Sequence, residues 1–87
     1  MFTLKIKRKA LRYAEKLDED RKARIKETLL LLKSDPVPVK TRDVLKLKGY
    51  DNVYRIRIGN LRIVYRVLWS DRMIVINYIG PRSKAYR

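Results

Sequence analysis

Cysteine and histidine are both absent from the 87-residue chain. Without cysteine there are no disulfides and no thiolate metal sites. Without histidine the chain lacks the usual acid/base of neutral pH and the commonest metal ligand. An enzyme built on it works without imidazole, and no metal or cofactor is expected. No apolar run approaches the roughly 20 residues that span a bilayer. The N-terminus, Met-Phe-Thr-Leu-Lys-Ile-Lys, has neither the apolar stretch nor the small-residue cleavage site of a signal peptide. A cytoplasmic protein without membrane contact is the expectation. Carboxylates are scarce too: nine Asp and Glu face 23 Lys and Arg, for a net charge of +14. Such a field implies a polyanionic partner, with nucleic acid or an acidic protein leading and an anionic membrane surface a weaker third. Seven of the nine carboxylates lie at or before Asp43, so the remainder of the chain has ten basic residues against Asp51 and Asp71.

The length suits one small core, and residues 1–87 are read as a single domain. Phe2 to Ile6 alternates as a short first strand. Lys7 to Leu17 turns helical, with Ala10, Leu11, Ala14 and Leu17 forming an apolar stripe. Asp18-Glu19-Asp20 breaks that stripe and opens a second helix, where acidic residues suit the positive end of the dipole. Ile25, Leu29 and Leu32 give its stripe, widened by Leu30 and Leu31. Ser34-Asp35-Pro36 ends it, because the residue before proline avoids the helical region. Residues 33–43 read as an extended connection, and Val44 to Tyr50 as the lead into a hairpin. Ser70-Asp71-Arg72 marks a second turn. Met73 to Ile79 is almost continuously apolar, a buried strand ended by Gly80-Pro81. The expected fold is a small α+β domain of order βααβββ. Its helical hairpin packs on a sheet whose three later strands form an antiparallel meander.

The hairpin carries the most information. Gly59-Asn60 is a two-residue turn signal. It pairs Ile58 with Leu61, Arg57 with Arg62, Ile56 with Ile63 and Tyr54 with Tyr65. Side chains alternate across a strand. Arg55, Arg57, Arg62 and Arg66 therefore share one face, while Tyr54, Tyr65 and the aliphatic residues share the other and pack. Trp69 has the packing parity and falls in the core or at its rim. Like charges placed opposite each other destabilise a sheet, so an anion is expected on the arginine face.

Lys46-Leu-Lys-Gly49, Tyr54-Arg-Ile-Arg-Ile, Leu61-Arg-Ile-Val-Tyr65 and the ending Ile79-Gly-Pro-Arg-Ser-Lys-Ala-Tyr86-Arg, in this order on this plan, resemble the RelE branch of the RelE/ParE toxin family. The resemblance covers the whole chain. It implies the toxin of a type II toxin–antitoxin system, a ribosome-dependent endoribonuclease that cuts messenger RNA in the A site. It also implies metal-free chemistry, in which the ribose 2′-hydroxyl attacks its own phosphate and leaves a 2′,3′-cyclic phosphate. The matching catalytic positions are Arg55, Arg57, Arg62, Arg82 and Tyr86. Arg62 is assigned to the scissile phosphate, Arg82 to the leaving 5′-oxygen, and Tyr86 to base stacking or proton movement. Guanidinium groups suit this work because they meet phosphate oxygens through bidentate, charge-assisted bonds. Relatives carry lysine where this chain has Arg55 and Arg57. An arginine cannot be tuned to neutrality to act as a base, so electrostatic positioning on a ribosome-oriented substrate is expected.

Lys46, Lys48, Arg66, Lys84, Arg87, Lys7, Arg8, Lys9 and Arg12, together with Lys5, are expected to contact RNA or ribosome backbone. Binding of that kind is salt-dependent. The partners implied are an acidic RelB-like antitoxin in a hetero-oligomer, the ribosome and messenger RNA. Two other functions fit the same features: a ParE-like inhibitor of DNA gyrase, and a noncatalytic RNA-binding module.

Overall fold

The computed structural model describes residues 1–82. In chain order these form β1 (Thr3–Ile6), α1 (Arg8–Glu15), α2 (Glu19–Ser34), β2 (Asp43–Lys46), β3 (Val53–Ile58), β4 (Leu61–Leu68) and β5 (Met73–Pro81). The sheet order is β1-β5-β4-β3-β2. β2 through β5 run antiparallel to their neighbours, whereas β1 lies parallel to β5, pairing Thr3 with Met73 and Ile6 with Ile76. The sheet is therefore mixed.

The hairpin register follows from its turn. Gly59 adopts a φ of +59°, the conformation a Gly-first two-residue loop requires. Ile58 then faces Leu61, Arg57 faces Arg62, Ile56 faces Ile63 and Tyr54 faces Tyr65. β4 is the central strand, and the face bearing Leu61, Ile63, Tyr65 and Val67 is buried. Ile56, Ile74, Ile76 and Ile79 extend that face, and Ala10, Ala14, Ile25 and Leu32 of the helices close over it.

Two elements differ from the sequence reading. Asp43–Lys46 is a strand at the sheet edge, pairing Asp43 with Arg57 and Lys46 with Tyr54. Its short pattern, one polar residue at each end, looks like loop in isolation; only the partner strand makes it β. The second helix also turns differently. Ile25, Thr28 and Leu32 are its buried residues, while Leu30 is 56% exposed. Thr28 occupies an apolar face because its hydroxyl donates to the Arg24 carbonyl at 2.9 Å, which satisfies the buried group locally. Trp69 sits at the rim, 46% exposed, edge-on to Phe2 with ring centroids 5.7 Å apart.

Tyr65 ties the layers together. Its ring is fully buried and stacks on Tyr54 at 5.7 Å. Its hydroxyl donates to the Pro36 carbonyl at 2.7 Å, which pins the segment after α2 to the centre of the sheet. A hydroxyl taken out of water is costly unless bonded, so this contact fixes where the connection to β2 begins. Burial, with smaller contributions from Tyr54 and Asp35, raises the hydroxyl's pKa above the ordinary 10.0.

Tyr65→Phe strands the Pro36 carbonyl and should cost about 1–2 kcal/mol, lowering the melting temperature by roughly 4–8 °C per kcal/mol. The pH dependence has a definite sign. A raised folded-state pKa contributes stability that is complete below the ordinary tyrosine value and is lost as pH climbs through the folded value. Urea unfolding should therefore show the gap between wild type and Tyr65→Phe narrowing above pH 10. A constant gap across that range would contradict the account.

Candidate active site

On the sheet face turned away from the helices, ladder pairing sets one row across four strands. Asp43 of β2 faces Arg57 of β3, Arg57 faces Arg62 of β4, and Arg62 faces Gly80 of β5. Adjacent strands lie about 4.8 Å apart, so the row places a carboxylate, two guanidinium side chains and a bare backbone position side by side. Beyond it, the Arg82 backbone N–H donates to the Asn60 carbonyl at 3.1 Å. That bond brings the start of the C-terminal segment against the β3–β4 turn, next to Arg57 and Arg62. Arg82 is exposed.

The four hairpin arginines share the face, as alternation requires, but they are not equivalent. Arg55 and Arg62 are 6% and 9% exposed. Arg57 is half-buried, and Arg66 is exposed at the far end of the face, opposite Val53. Arg55 is bonded through one nitrogen to one residue: its Nη1 donates to Asp43 Oδ1 at 3.1 Å and to the Asp43 carbonyl at 3.2 Å. Arg57 is held more loosely, with Nε 3.7 Å from Asp43 Oδ2. The anion expected on this face is thus partly supplied by the chain itself. The hydrogen bond from Arg55 holds the Asp43 carboxyl below its usual pKa, and the charges of Arg55, Arg57 and Arg62 act in the same direction against partial desolvation. Asp43 is the residue that sequence reasoning missed. Asp43 closes a segment that reads as connection, and Asp43-Val44-Leu45-Lys46 does not alternate, so its place beside Arg57 leaves no local signal.

Gly80 shapes the other end of the row. A Cβ there would lie 2.5 Å from the Tyr78 hydroxyl, which donates to the Pro81 carbonyl at 2.9 Å. Glycine is what lets the Tyr78 ring lie across the end of β5. Burial raises the Tyr78 pKa, with Tyr13 adding to it. Lys9, Ala10 and Tyr13 of α1 form a cleft of about 380 Å³ with Asn77 to Pro81, so Lys9 shares that cleft with Gly80. Lys5, Lys7, Arg8 and Arg12 are exposed on β1 and α1, on the opposite side of the sheet from β2. Lys46 and Lys48 are exposed around the turn after β2, where they line a shallow depression with Tyr50. Lys84, Tyr86 and Arg87 lie outside the described residues. Among the described residues, no group of three or more acidic side chains is placed to hold a metal ion, and no helix is long and apolar enough to cross a membrane.

A family model described as the ParE toxin of the type II toxin–antitoxin system ParDE matches residues 3–86. The chain belongs to this RelE/ParE family of toxins. A candidate RelE1 toxin of Methanocaldococcus jannaschii is 40% identical over 86 residues, covering 99% of this chain and 96% of the relative. The RelE of an archaeal RelE–RelB crystal structure from Pyrococcus horikoshii superposes with a TM-score of 0.85 at 32% identity, over 97% of this chain and 98% of that one. The Escherichia coli RelBE complex has the same fold, with a TM-score of 0.78 at 22% identity over 93% and 96% of the two chains.

In this family fold the two arginines that meet Asp43 should separate by stability. Arg55 packs its stem and bonds Asp43, so Arg55→Ala should cost about 1–3 kcal/mol, through lost packing and lost hydrogen bonds. Arg57→Ala should cost less than about 1 kcal/mol. Urea midpoints at unchanged m-value read the difference directly; equal losses would show that the two side chains carry the same structural weight.

Proposed function

We propose that this toxin is a ribosome-dependent endoribonuclease that cuts messenger RNA in the A site and so stops translation in the cytoplasm. The observation that carries the reading is the row Arg57–Arg62 with Arg82 drawn beside it by the Asn60 carbonyl. Attack by a ribose 2′-oxygen forms a bond to phosphorus and breaks the bond to the 5′-oxygen, with charge building on the nonbridging oxygens. Arg62, nearly buried in the row, offers fixed donors to those oxygens. Arg57 adds a second charge at the same height on the sheet. Arg82, one step past β5, stabilises the departing 5′-oxygen. Neither Arg57 nor Arg62 gives up a proton at physiological pH. Their contribution is therefore charge stabilisation and alignment of an RNA strand already bent by the ribosome.

The family supports an antitoxin partner. RelE of P. horikoshii is crystallised with RelB, as is RelE of M. jannaschii. With a charge of +14, this chain calls for an acidic antitoxin that covers the arginine face and is displaced or degraded before RNA can reach it. One observation favours a second reading: the matching family model is that of the ParE toxin. The 40% identity to a candidate RelE1 toxin supports the ribonuclease reading.

Primer extension on ribosomes programmed with a defined message should show cuts within the A-site codon and far weaker cutting of the same RNA in free solution. Arg62→Ala and Arg82→Ala should each lower the single-turnover rate by about two to three decades, the usual cost of removing one such donor. Equal cleavage of free and ribosome-bound RNA would remove the ribosome from the mechanism. No cleavage, together with loss of gyrase supercoiling activity, would favour the ParE-like reading.

A further inference from the structure

The arginine row contains a carboxylate that the reaction, as derived above, does not use. In a site meant for a phosphate, an anion at the end of the row is unfavourable unless it does something for the guanidinium groups. Asp43 divides its two oxygens between two arginines. Oδ1, with the residue's own carbonyl, takes both hydrogen bonds of Arg55 at 3.1 and 3.2 Å. Oδ2 faces Arg57 Nε at 3.7 Å, too long for a hydrogen bond but within ion-pair distance. Arg57 Nε, like Arg55 Nε, is shielded from solvent and has no hydrogen-bond partner among the described residues, and its ion pair is with Asp43 Oδ2. The Arg57 side chain nevertheless keeps a third of its surface exposed. Asp43 itself is 55% exposed and stands directly across the ladder from Arg57.

We infer that Asp43 is a positioning residue of the ribonuclease site. It locks Arg55 as a strut beneath the face and aims Arg57 so that the far edge of its guanidinium meets the substrate phosphate. This rests on the ribonuclease reading. The asymmetry of the contacts matters: Arg55 is committed to Asp43, whereas Arg57 is steered without being consumed. Asp43 also sets a cost on binding, because its charge opposes the incoming phosphate. The residue therefore favours the rate of the chemical step at the expense of ground-state affinity. That combination is one a purely structural acid would not produce.

Asp43→Asn separates these roles. The amide keeps an oxygen to accept from Arg55, so the fold is retained, but it replaces the oxygen facing Arg57 with an N–H donor. Single-turnover cleavage on ribosomes should fall by about tenfold to a hundredfold, the scale of a small misplacement in a site of this kind. Binding of an uncleavable RNA, 2′-deoxy at the scissile position, should stay equal or tighten. In an Arg57→Ala background Asp43→Asn should slow the reaction no further, since coupled residues are not additive. Asp43→Glu, which keeps the charge, should recover part of the rate. An undiminished rate in Asp43→Asn overturns the inference. So does a rate that falls together with affinity and melting temperature, or one that falls independently of Arg57. The Arg57 Nε–H resonance gives a readout free of catalysis: it should shift in Asp43→Asn, and indifference would also overturn the inference. If the wild type cuts nothing while this resonance responds, it is the ribonuclease reading that fails and not the contact.

Discussion

Two like charges facing each other across neighbouring strands form the constraint around which this molecule is arranged. Arg57 and Arg62 are directly opposed, and unit charges at ladder spacing repel by an amount that depends steeply on how much water lies between them. On a fully wet face the repulsion would be slight and of no consequence. Here Arg62 and its neighbour Arg55 are nearly buried, so screening is reduced and the charge must be met locally. Asp43 meets part of it from the edge strand. β2 is therefore more than a fourth rung added to the meander. Without it, Arg55 would be a buried guanidinium without a counter-ion, which is among the costlier defects a small core can carry.

The position of β2 depends in turn on the opposite face. Asp43 reaches the arginine row only because the chain leaving α2 is delivered to that edge of the sheet. The buried hydrogen bond from Tyr65 to the Pro36 carbonyl and the burial of Pro38 fix the first part of that path. Tyr65 stands in the middle of β4, paired with Tyr54 of β3 on one side and Ile76 of β5 on the other. One residue of the central strand thus anchors the connection on the packed side, while Arg62, three positions earlier in the same strand, anchors the row on the other. Alternation along β4 couples core and site: a slip of one residue in the hairpin would bury the arginines among the helices and expose the aliphatic residues.

That coupling explains what was legible in the sequence. The Gly59-Asn60 turn and the strict alternation on both sides of it determine the register locally, so each opposed pair of the hairpin could be read from neighbours in the chain. The helix boundaries near Asp18 and Pro36 rest on equally local signals. What escaped reading depends on distant partners. The four residues of β2 have no strand signature apart from β3. The parallel pairing of β1 with β5 joins the two ends of the described chain and leaves no local mark. The face of α2 differs from the sequence reading at Leu30 because four successive leucines, Leu29 to Leu32, blur a helical period, and Thr28 takes the buried place by satisfying its hydroxyl on its own helix. Half of the arginine row was therefore visible from the start, and the acidic end that balances it was not.

The chemistry available to such a row is narrow, and the narrowness is informative. The chain has no histidine, and the row itself holds arginine at Arg57 and Arg62, a residue type that does not act as a base. Asp43 is ionised but held below its ordinary pKa by its arginines, which makes it a weak base. Tyr78, beside Gly80, is raised by burial and stays protonated. A site with strong fixed positive charge and no tuned base lowers the energy of a developing oxyanion without driving the proton transfer that starts the attack. Such a site gains most from a substrate whose 2′-hydroxyl is already aligned with the bond to be broken, because alignment removes the part of the barrier that charge cannot reach. The ribosome dependence proposed for this toxin follows from the residue types in the row, because a second, larger body would supply the alignment that they do not.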